Sequence, residues 1–213
     1  MAGGAASGTY LGLLAKGIES LHRLTGAELE VGPAIMAAWV DEPLAILELH
    51  ARRNGGGEPW QLRALDRLRG ELHGPLLGKR LTASWIHGDY VPGNVLIDAA
   101  TGTVSGIIDW ELAATPCLPA LDLVQLVLAA RALSRRREYG EIVVEALDGT
   151  WTEQEQAVLE RTTEPLVGDP PLSTLVLFAW LRHTASMLTK AAGYGDNWLW
   201  QRSNLEAALA ALA

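Results

Sequence analysis

The segment of residues 85–111 constrains the fold of this chain most, because it places polar side chains at the ends of short apolar runs. It reads WIHGDYVPGNVLIDAATGTVSGIIDWE. Residues 95–97 and 104–108 are apolar and largely β-branched, and both runs have the length of a strand. Residues 98–103 between them are rich in turn formers and include a glycine. This pattern predicts an antiparallel β-hairpin.

The hairpin predicts where the polar groups of the segment meet. Asn94 precedes the first strand and Asp109 follows the second, so both lie at the open end of the hairpin. Asp89 is joined to Asn94 by a loop that contains Pro92 and Gly93, and this loop can bring Asp89 to the same end. Carboxylate and amide oxygens are ligands that Mg²⁺ prefers, and a carboxylate can act as a base toward a hydroxyl group. The segment therefore predicts a site for phosphoryl transfer.

The order and spacing of these residues resemble the aminoglycoside phosphotransferase family, a group of small-molecule kinases with a protein-kinase-like fold. The motifs that carry the resemblance are HGDYVPGN at residues 87–94 and IDWE at residues 108–111. Two further family landmarks are matched by PALDL at residues 119–123 and LHRL at residues 21–24. The match extends over about residues 8–205 and implies the C-terminal lobe of that fold.

The resemblance implies a role for each matched residue. Asp89 would be the catalytic base, and Asn94 and Asp109 would hold Mg²⁺ against the phosphates of ATP. His87 would support the loop, and Asp122 would brace it through bonds to backbone N–H groups. The reaction would move the γ-phosphoryl group of ATP to a hydroxyl group of a small molecule. Acidic residues in or after the metal loop are candidates for the substrate pocket: Glu111, Glu138, Glu141 and Asp196.

Each of these side chains also has a purely structural interpretation. Asp89 could be a turn carboxylate after a glycine, and Asn94 could be a turn residue before a strand. Asp109 could end the hairpin as a solvated charge, and Asp122 could cap a helix or lie in its first turn. The occurrence of the motifs together and in order favours the functional interpretation, whereas His87 is favoured as a structural residue.

The lysines limit what this chain is expected to do alone. A kinase of this fold needs a glycine-rich loop over the ATP phosphates and a strand lysine paired with a glutamate. The lysines are Lys16, Lys79 and Lys190, and none lies in an early β-branched run. We therefore expect the nucleotide-binding lobe to be absent, so the chain would be a fragment, a lone lobe or the partner of a separate chain. The alternative function is a catalytically idle, kinase-like module that binds a ligand or partner.

Composition narrows the remaining function classes. The 213 residues are 49% hydrophobic, which is typical of a folded chain with one core. The net charge of −8 argues against nucleic acid as a partner and suits a cationic substrate. A single cysteine, no evident signal peptide and no apolar run of membrane-spanning length predict a cytoplasmic protein without a membrane partner. We expect a solvated helix end at the basic cluster of Arg131, Arg135, Arg136 and Arg137.

The apolar periodicity predicts an α+β fold that is mostly helical and contains the small hairpin. We expect a flexible leader over residues 1–8 and a kinase-like C-terminal lobe over residues 9–213. Thr152 followed by Glu155 predicts a capping box at the start of a helix. The other predicted helices cover residues 9–24, 32–40, 43–52, 59–77, 120–133, 137–147, 171–192 and 198–212, with a loop at 53–57.

Overall fold

A computed structural model of the chain describes residues 3–53, 59–160, 170–190 and 192–213. The described residues are mostly helical and form two small sheets, which confirms the predicted α+β class. The chain divides into two compact units. The first consists of residues 1–29, 80–135 and 150–169, and the second of residues 30–79, 136–149 and 170–213.

The elements follow one another along the chain as helices interrupted by short strands. As far as the first strand of the hairpin they are α1 (Gly3–Thr25), β1 (Ala27–Glu30), α2 (Pro33–Met36), α3 (Glu42–Arg53), α4 (Pro59–Leu76), β2 (Arg80–Ile86) and β3 (Val95–Ile97). The remaining elements are β4 (Val104–Ile107), β5 (Ala114–Cys117), α5 (Ala120–Arg135), α6 (Tyr139–Leu147), α7 (Glu153–Leu159), α8 (Leu172–Lys190), α9 (Ala192–Asp196), α10 (Trp198–Trp200) and α11 (Ala207–Ala210).

Several predicted boundaries differ from those in the structure. α1 begins at Gly3, so residues 3–8, which the sequence assigned to a leader, are helical. The helices predicted on either side of Pro43 form one run, because a π-helical turn at Ala37–Asp41 joins α2 to α3. The wider turn directly before Pro43 lets the helix continue past a residue that has no backbone N–H. The predicted loop at 53–57 lies outside the described residues except for Arg53.

The first unit buries the predicted apolar face of α1. Leu14 and Ile18 are fully buried, as expected from their helical spacing. α1 also receives a hydrogen bond from Tyr90, whose buried hydroxyl donates to the Leu14 carbonyl oxygen at 2.7 Å. Burial raises the pKa of Tyr90, and the negative charge of Asp122 reinforces this effect, so the hydroxyl keeps its proton for that bond. The contact ties the segment after β2 to the first helix.

Two small sheets deliver the polar segment to one region of the first unit. Strands β1, β2 and β5 form a three-stranded sheet in that order, and β3 and β4 form the predicted hairpin. Within the hairpin Val95 pairs with Ile107, so the two ends that carry Asn94 and Ile108 are adjacent. β2 ends at Ile86, directly before the HGD motif. The functional loops therefore begin where regular strand pairing ends.

A buried ion pair joins α5 to α7 within the first unit. The Nε atom of Arg131 donates to Glu155 Oε1 at 2.8 Å, and the guanidinium lies 4.6 Å from the centre of the Trp151 ring. The predicted capping box is confirmed, because Thr152 and Glu155 exchange hydrogen bonds. Burial opposes ionisation of Glu155, but hydrogen bonds from Arg131 and Thr152 outweigh it and lower the pKa of Glu155. Arg131 was wrongly assigned to a solvated cluster, since its exposed fraction is 2%.

The second unit is built from helices with leucine-rich inner faces. α4 buries Leu65, Leu68 and Leu72, as its spacing predicts, whereas Leu62 is only half-buried. α8 is buried along most of its length, and the largest of its fully buried side chains is Trp180. In the part of the chain that the structure describes, no helix is both long and apolar enough to span a membrane.

Asn204 joins α6 and α8 through hydrogen bonds in the second unit. It is buried in the π-helical segment Gln201–Glu206, and its Oδ1 accepts from the Gly140 backbone N–H at 3.1 Å. Its Nδ2 donates to Glu138 at 3.0 Å, and its backbone oxygen accepts from the Trp180 indole at 2.8 Å. A Cβ atom at Gly140 would lie 2.5 Å from the Asn204 backbone, so only glycine allows this approach.

We expect Gly140→Ala to destabilise the chain by about 2–3 kcal/mol, because the added methyl group would push two backbone segments apart. Urea unfolding followed by circular dichroism measures this change. Gly70→Ala is the matched control, since a Cβ atom at Gly70 meets nothing within 4 Å on the surface of α4. The control should be neutral or more stable by about 0.5–1 kcal/mol. Equal stability of Gly140→Ala and wild type would contradict the close approach.

Candidate active site

The loop that contains Asp89 begins with a glycine that no other residue can replace without strain. Gly88 has a φ of +80°, a region that side-chain-bearing residues rarely adopt. A Cβ atom at Gly88 would lie 2.0 Å from the backbone oxygen of Leu112. The HGD motif therefore packs directly against the chain that follows the second carboxylate motif. Gly88 was part of the predicted motif, but the reason for the glycine lies in this non-local contact.

His87 contacts the backbone of the loop through its ring. Its ring is fully buried and lies 4.6 Å from the Trp110 ring. Its Nε2 atom lies 2.8 Å from the Ile108 carbonyl oxygen, and the Asp89 backbone N–H donates to its Nδ1 at 3.3 Å. These two partners assign the neutral tautomer with the proton on Nε2. Both ring nitrogens are thus engaged in holding the main chain beside Asp89 and Asp109.

Asp122 binds the backbone of the HGD motif from the first turn of α5. Its side chain is fully buried, and its oxygens accept hydrogen bonds from the backbone N–H groups of His87 at 2.8 Å and Gly88 at 2.9 Å. His22 Nε2 on α1 lies 2.9 Å from the same carboxylate. Three partners compensate for the burial of the carboxylate, which would otherwise be unfavourable. The bonds to backbone N–H groups are of the kind that the resemblance implies for Asp122, and His22 is a partner that it did not assign. That these bonds support a catalytic site stays a prediction.

Asn94 links the loop of Asp89 to the strand that precedes Asp109. It ends the short 3₁₀ turn Pro92–Asn94, and its Nδ2 donates to the Asp89 carbonyl oxygen at 2.9 Å. Its backbone oxygen accepts from the N–H group of Ile108 at 2.9 Å. Asn94 is therefore bonded to the backbone of Asp89 and to that of Ile108, the residue before Asp109. The amide oxygen of Asn94 has no hydrogen bond within the described residues.

Asp109 lies at a sharp change of chain direction after β4. Its backbone adopts the left-handed conformation with φ 64° and ψ 55°, and its side chain is exposed. Aspartate tolerates this conformation better than most residues, but the conformation still carries strain that often marks a functional position. The 3₁₀ turn Trp110–Leu112 follows, and the Trp110 indole donates to the Ile107 carbonyl oxygen at 2.8 Å. The turn thus fixes the backbone on both sides of Asp109.

The side-chain oxygens at this site differ in their hydrogen bonding from the side chains that hold the loop. Asp89 is half-buried and Asp109 is exposed, and neither carboxylate is hydrogen-bonded to any of the described residues. The Asn94 amide oxygen shares this property, whereas His87 and Asp122 bond to the main chain around it. The arrangement therefore leaves three oxygen-bearing groups available to a ligand on a loop whose backbone is held from several sides.

The donor set suits a hard cation that takes further ligands from elsewhere. No group of three or more His, Cys, Asp or Glu side chains among the described residues is placed to hold a metal ion. The predicted metal pair is instead one amide, Asn94, and one carboxylate, Asp109. Mg²⁺ commonly binds one or two protein oxygens and completes its shell with water and phosphate oxygens. The residues therefore fit Mg²⁺ bound together with a phosphate ligand.

The four acidic residues that were predicted as candidates for the substrate pocket differ in their surroundings. Glu138 and Glu141 form a capping box at the start of α6, and Glu141 also pairs with Arg137 at 3.2 Å. Both carboxylates are thus engaged in holding a helix start, which the sequence analysis did not anticipate. Glu111 and Asp196 are exposed. The signal that was missed is the spacing of three between Glu138 and Glu141, which is that of a capping box with glutamate in place of serine or threonine.

Comparison with known proteins gives a family match. Residues 2–161 match the model of the phosphotransferase enzyme family (APH). This range is more than half of the 213 residues and includes all five predicted site residues. Neither the curated proteins nor the solved structures gave a significant match.

Proposed function

The chain belongs to the phosphotransferase enzyme family, and from this premise we propose that it takes part in moving the γ-phosphoryl group of ATP to a hydroxyl group of a small molecule. The proposal assigns the catalytic base to Asp89 and the metal-holding oxygens to Asn94 and Asp109. His87 and Asp122 act as positioning residues that hold the loop. The family match supports the reaction class, and the geometry of the loop supports the assignment of residues.

One observation carries the assignment more than any other. The backbone of the HGD loop is bonded to Asp122, His87 and Asn94, yet the side-chain oxygens of Asp89 and Asp109 accept nothing from the described residues. A loop built only for stability has no need of so many backbone anchors beside unpaired carboxylates. Anchored main chain with available side-chain oxygens is what preorganised catalysis requires.

The proposed chemistry assigns a different task to each side chain. Asp89 accepts the proton of the substrate hydroxyl and orients its oxygen toward the phosphorus atom. Asn94 serves two purposes, since its Nδ2 holds the Asp89 carbonyl oxygen while its Oδ1, which has no hydrogen bond with the described residues, is available to a ligand. Asn94 and Asp109 together would hold Mg²⁺, which supplies positive charge against the phosphate oxygens when bound. In this proposal the side chain of Asp89 serves the acceptor, and Asn94 and Asp109 serve the donor.

We propose that the group that neutralises the nucleotide phosphates lies outside this chain's described fold. Lys16 lies on α1, Lys190 ends α8, and Lys79 lies between α4 and β2. None of these lysines lies on a strand where it could pair with a helix glutamate in the kinase arrangement. A nucleotide-binding lobe, carried by a further segment or by a second chain, would supply that lysine and a glycine-rich loop.

The substrate class that we propose is a polyhydroxylated cation such as an aminoglycoside. The net charge of −8 favours the approach of a cationic molecule over that of an anionic one. The resemblance of the motifs to aminoglycoside phosphotransferases points the same way. Aminoglycosides, macrolides and amino sugars are therefore the first acceptors to test.

We expect Asp109→Asn to weaken the combined binding of Mn²⁺ and ATP by at least about tenfold, since loss of a metal-binding group lowers affinity by that order. Asparagine tolerates the left-handed backbone of Asp109, so the variant removes charge without new strain. Isothermal titration calorimetry with Mn²⁺, ATP and both together measures the change. Asp98→Asn is the control, because Asp98 is exposed at the other end of the hairpin, where its oxygen accepts from the Ala100 N–H. Equal binding by Asp109→Asn and wild type would contradict the metal assignment.

A further inference from the structure

One face of α1 makes polar contacts with the segment that carries Asp89. The contacting residues share one side of the helix, and they are Leu14, His22 and Thr25. The Oγ1 atom of Thr25 accepts from the Trp85 backbone N–H at 3.0 Å, and the Leu14 carbonyl oxygen accepts from the Tyr90 hydroxyl at 2.7 Å. α1 therefore holds this segment both before and after the HGD motif.

The approach between α1 and this segment is close. A Cβ atom at Gly17 would lie 3.0 Å from the Tyr90 hydroxyl and 3.1 Å from a methyl group of Val104 in β4. Distances of this size are shorter than the usual van der Waals contact, so the two surfaces leave little space between them. Ile18, the next residue of α1, is fully buried. A helix face packed in this way is a rigid support for the loop.

His22 is bonded to the carboxylate that holds the HGD backbone. Its Nε2 atom lies 2.9 Å from Asp122 Oδ2, and the same oxygen accepts the His87 backbone N–H at 2.8 Å. The other oxygen, Oδ1, accepts from the Gly88 N–H at 2.9 Å. Because a carboxylate can only accept hydrogen bonds, Nε2 of His22 carries the proton and donates it. The two side chains are exposed by 10% and 1%, and a bond between such buried groups is stronger than an exposed one.

We propose that His22 is a positioning residue for Asp89. It holds the Asp122 carboxylate in place, and the carboxylate in turn fixes the backbone N–H groups of His87 and Gly88, directly before Asp89. The inference rests on the proposed function, because it gives α1 a task in phosphoryl transfer as well as in packing. His22 contacts neither the substrate nor the metal ion in this proposal. It acts by keeping the base in position, and a displacement of about 1 Å at a reacting group can cost about 10²-fold in rate.

The first test measures amide hydrogen exchange of residues 1–213 by NMR and requires no turnover. We expect His22→Ala to lower the protection factors of the His87 and Gly88 amides by at least about tenfold relative to that of Leu126, a buried residue of α5. The reason is that Asp122 loses the donor that holds it. His22→Gln should keep the protection within about threefold of wild type, because its amide N–H group can take the place of Nε2.

Two variants in the second unit serve as controls. His73→Ala removes a bond of the same kind and length, since His73 Nε2 lies 2.9 Å from Asp41 Oδ1. Gly140→Ala is expected to lower the overall stability through its contact with Asn204. Neither variant should change the exchange of the HGD amides relative to Leu126 by more than about twofold. Circular dichroism verifies that each variant is folded, and His22→Leu, which has no donor, replaces His22→Ala if the latter does not fold.

The second test measures kcat and KM with a nucleotide-binding lobe of the family fused or added in trans. We expect His22→Ala to lower kcat by at least about tenfold and to change KM for ATP and the acceptor by less than about threefold, because a displaced base alters the reacting geometry more than binding. His22→Gln should recover most of kcat. His73→Ala and Gly140→Ala should retain the wild-type kcat per folded molecule.

The outcomes separate this proposal from the proposed function. Equal protection of the His87 and Gly88 amides in wild type and His22→Ala would overturn it, and so would an unchanged kcat. Equal losses in His22→Ala and His22→Gln would also overturn it, because the effect would then come from packing and not from the hydrogen bond. An absence of turnover in wild type would contradict the proposed function, and amide exchange would then decide whether His22 holds the loop.

Discussion

We expect Asp122→Ala to lower the free energy of unfolding by about 3–5 kcal/mol, which is the largest stability change expected for a single residue of the candidate site. The reason is that three donors lose their acceptor at once: the buried backbone N–H group of His87 and the partly buried N–H group of Gly88 and ring of His22. A buried donor left without a partner costs about 1–3 kcal/mol, and Asp122 itself is fully buried. Urea unfolding monitored by circular dichroism provides the measurement.

Two further variants test whether the loss of stability in Asp122→Ala comes from the lost hydrogen bonds of its carboxylate. Asp66→Ala removes a carboxylate that is 84% exposed, so it should change stability by less than about 0.5 kcal/mol. Asp122→Asn keeps one oxygen acceptor but presents an amide N–H group to a donor, so its stability should lie between those of wild type and Asp122→Ala. Unfolding of Asp122→Ala within about 1 kcal/mol of wild type would contradict the brace and favour the helix-capping interpretation of Asp122.

Local patterns explain why much of the fold could be predicted from the sequence. The hairpin depends on two short apolar runs around a turn, and the start of α7 depends on Thr152 and Glu155, which are three residues apart. α1 and α4 bury leucines whose spacing alone defines their inner faces. Each of these features is encoded within about one helical turn or one hairpin, so no knowledge of distant partners is needed.

Features that depend on distant partners could not be predicted in the same way. Strands β1 and β5 are only four residues long and pair within the sheet of β2, so neither has a long enough pattern of its own to be predicted. Arg131 belongs by sequence to a basic helix end, and only the buried Glu155 from another helix explains its position. The same holds for the active-site loop, where His22 meets Asp122 across a separation of 100 residues.

The candidate site has some features that depend on local sequence patterns and others that depend on contacts between distant residues. Asp89, Asn94 and Asp109 were predictable as candidates because motif spacing places them along the chain. The left-handed backbone of Asp109 and the contact of Gly88 with the Leu112 oxygen were not, because each depends on how two loops meet. Mutations that preserve the motif can therefore still disable the site through its backbone.

We expect Asp89→Asn to lower phosphoryl transfer by about 10²–10⁴-fold, because asparagine keeps the size of the side chain but cannot accept the substrate proton. The fold should be unaffected, since the hydrogen bonds at residue 89 involve its backbone N–H and carbonyl groups and not its carboxylate. The measurement is ATP-dependent phosphorylation of aminoglycosides, macrolides and amino sugars, followed by ³¹P NMR and ADP release. We expect low turnover by residues 1–213 alone and higher turnover when a family nucleotide-binding lobe is fused or added in trans.

When a nucleotide-binding lobe is supplied, the effect of Asp89 on turnover can be measured separately from the effect of nucleotide binding. Positioning and charge stabilisation of the phosphates account for most of the acceleration in this reaction, so a base without them achieves little. Asp89→Asn should therefore abolish the gain from the added lobe, whereas Asp98→Asn, an exposed carboxylate outside the site, should retain it. Retention of the gain by Asp89→Asn would contradict its role as the base. Strong turnover without any added lobe would contradict the proposal that a separate lobe binds the nucleotide.

No turnover across the whole acceptor panel with the lobe present would favour an idle, kinase-like binding module, because the anchored loop would then hold a ligand without reacting with it.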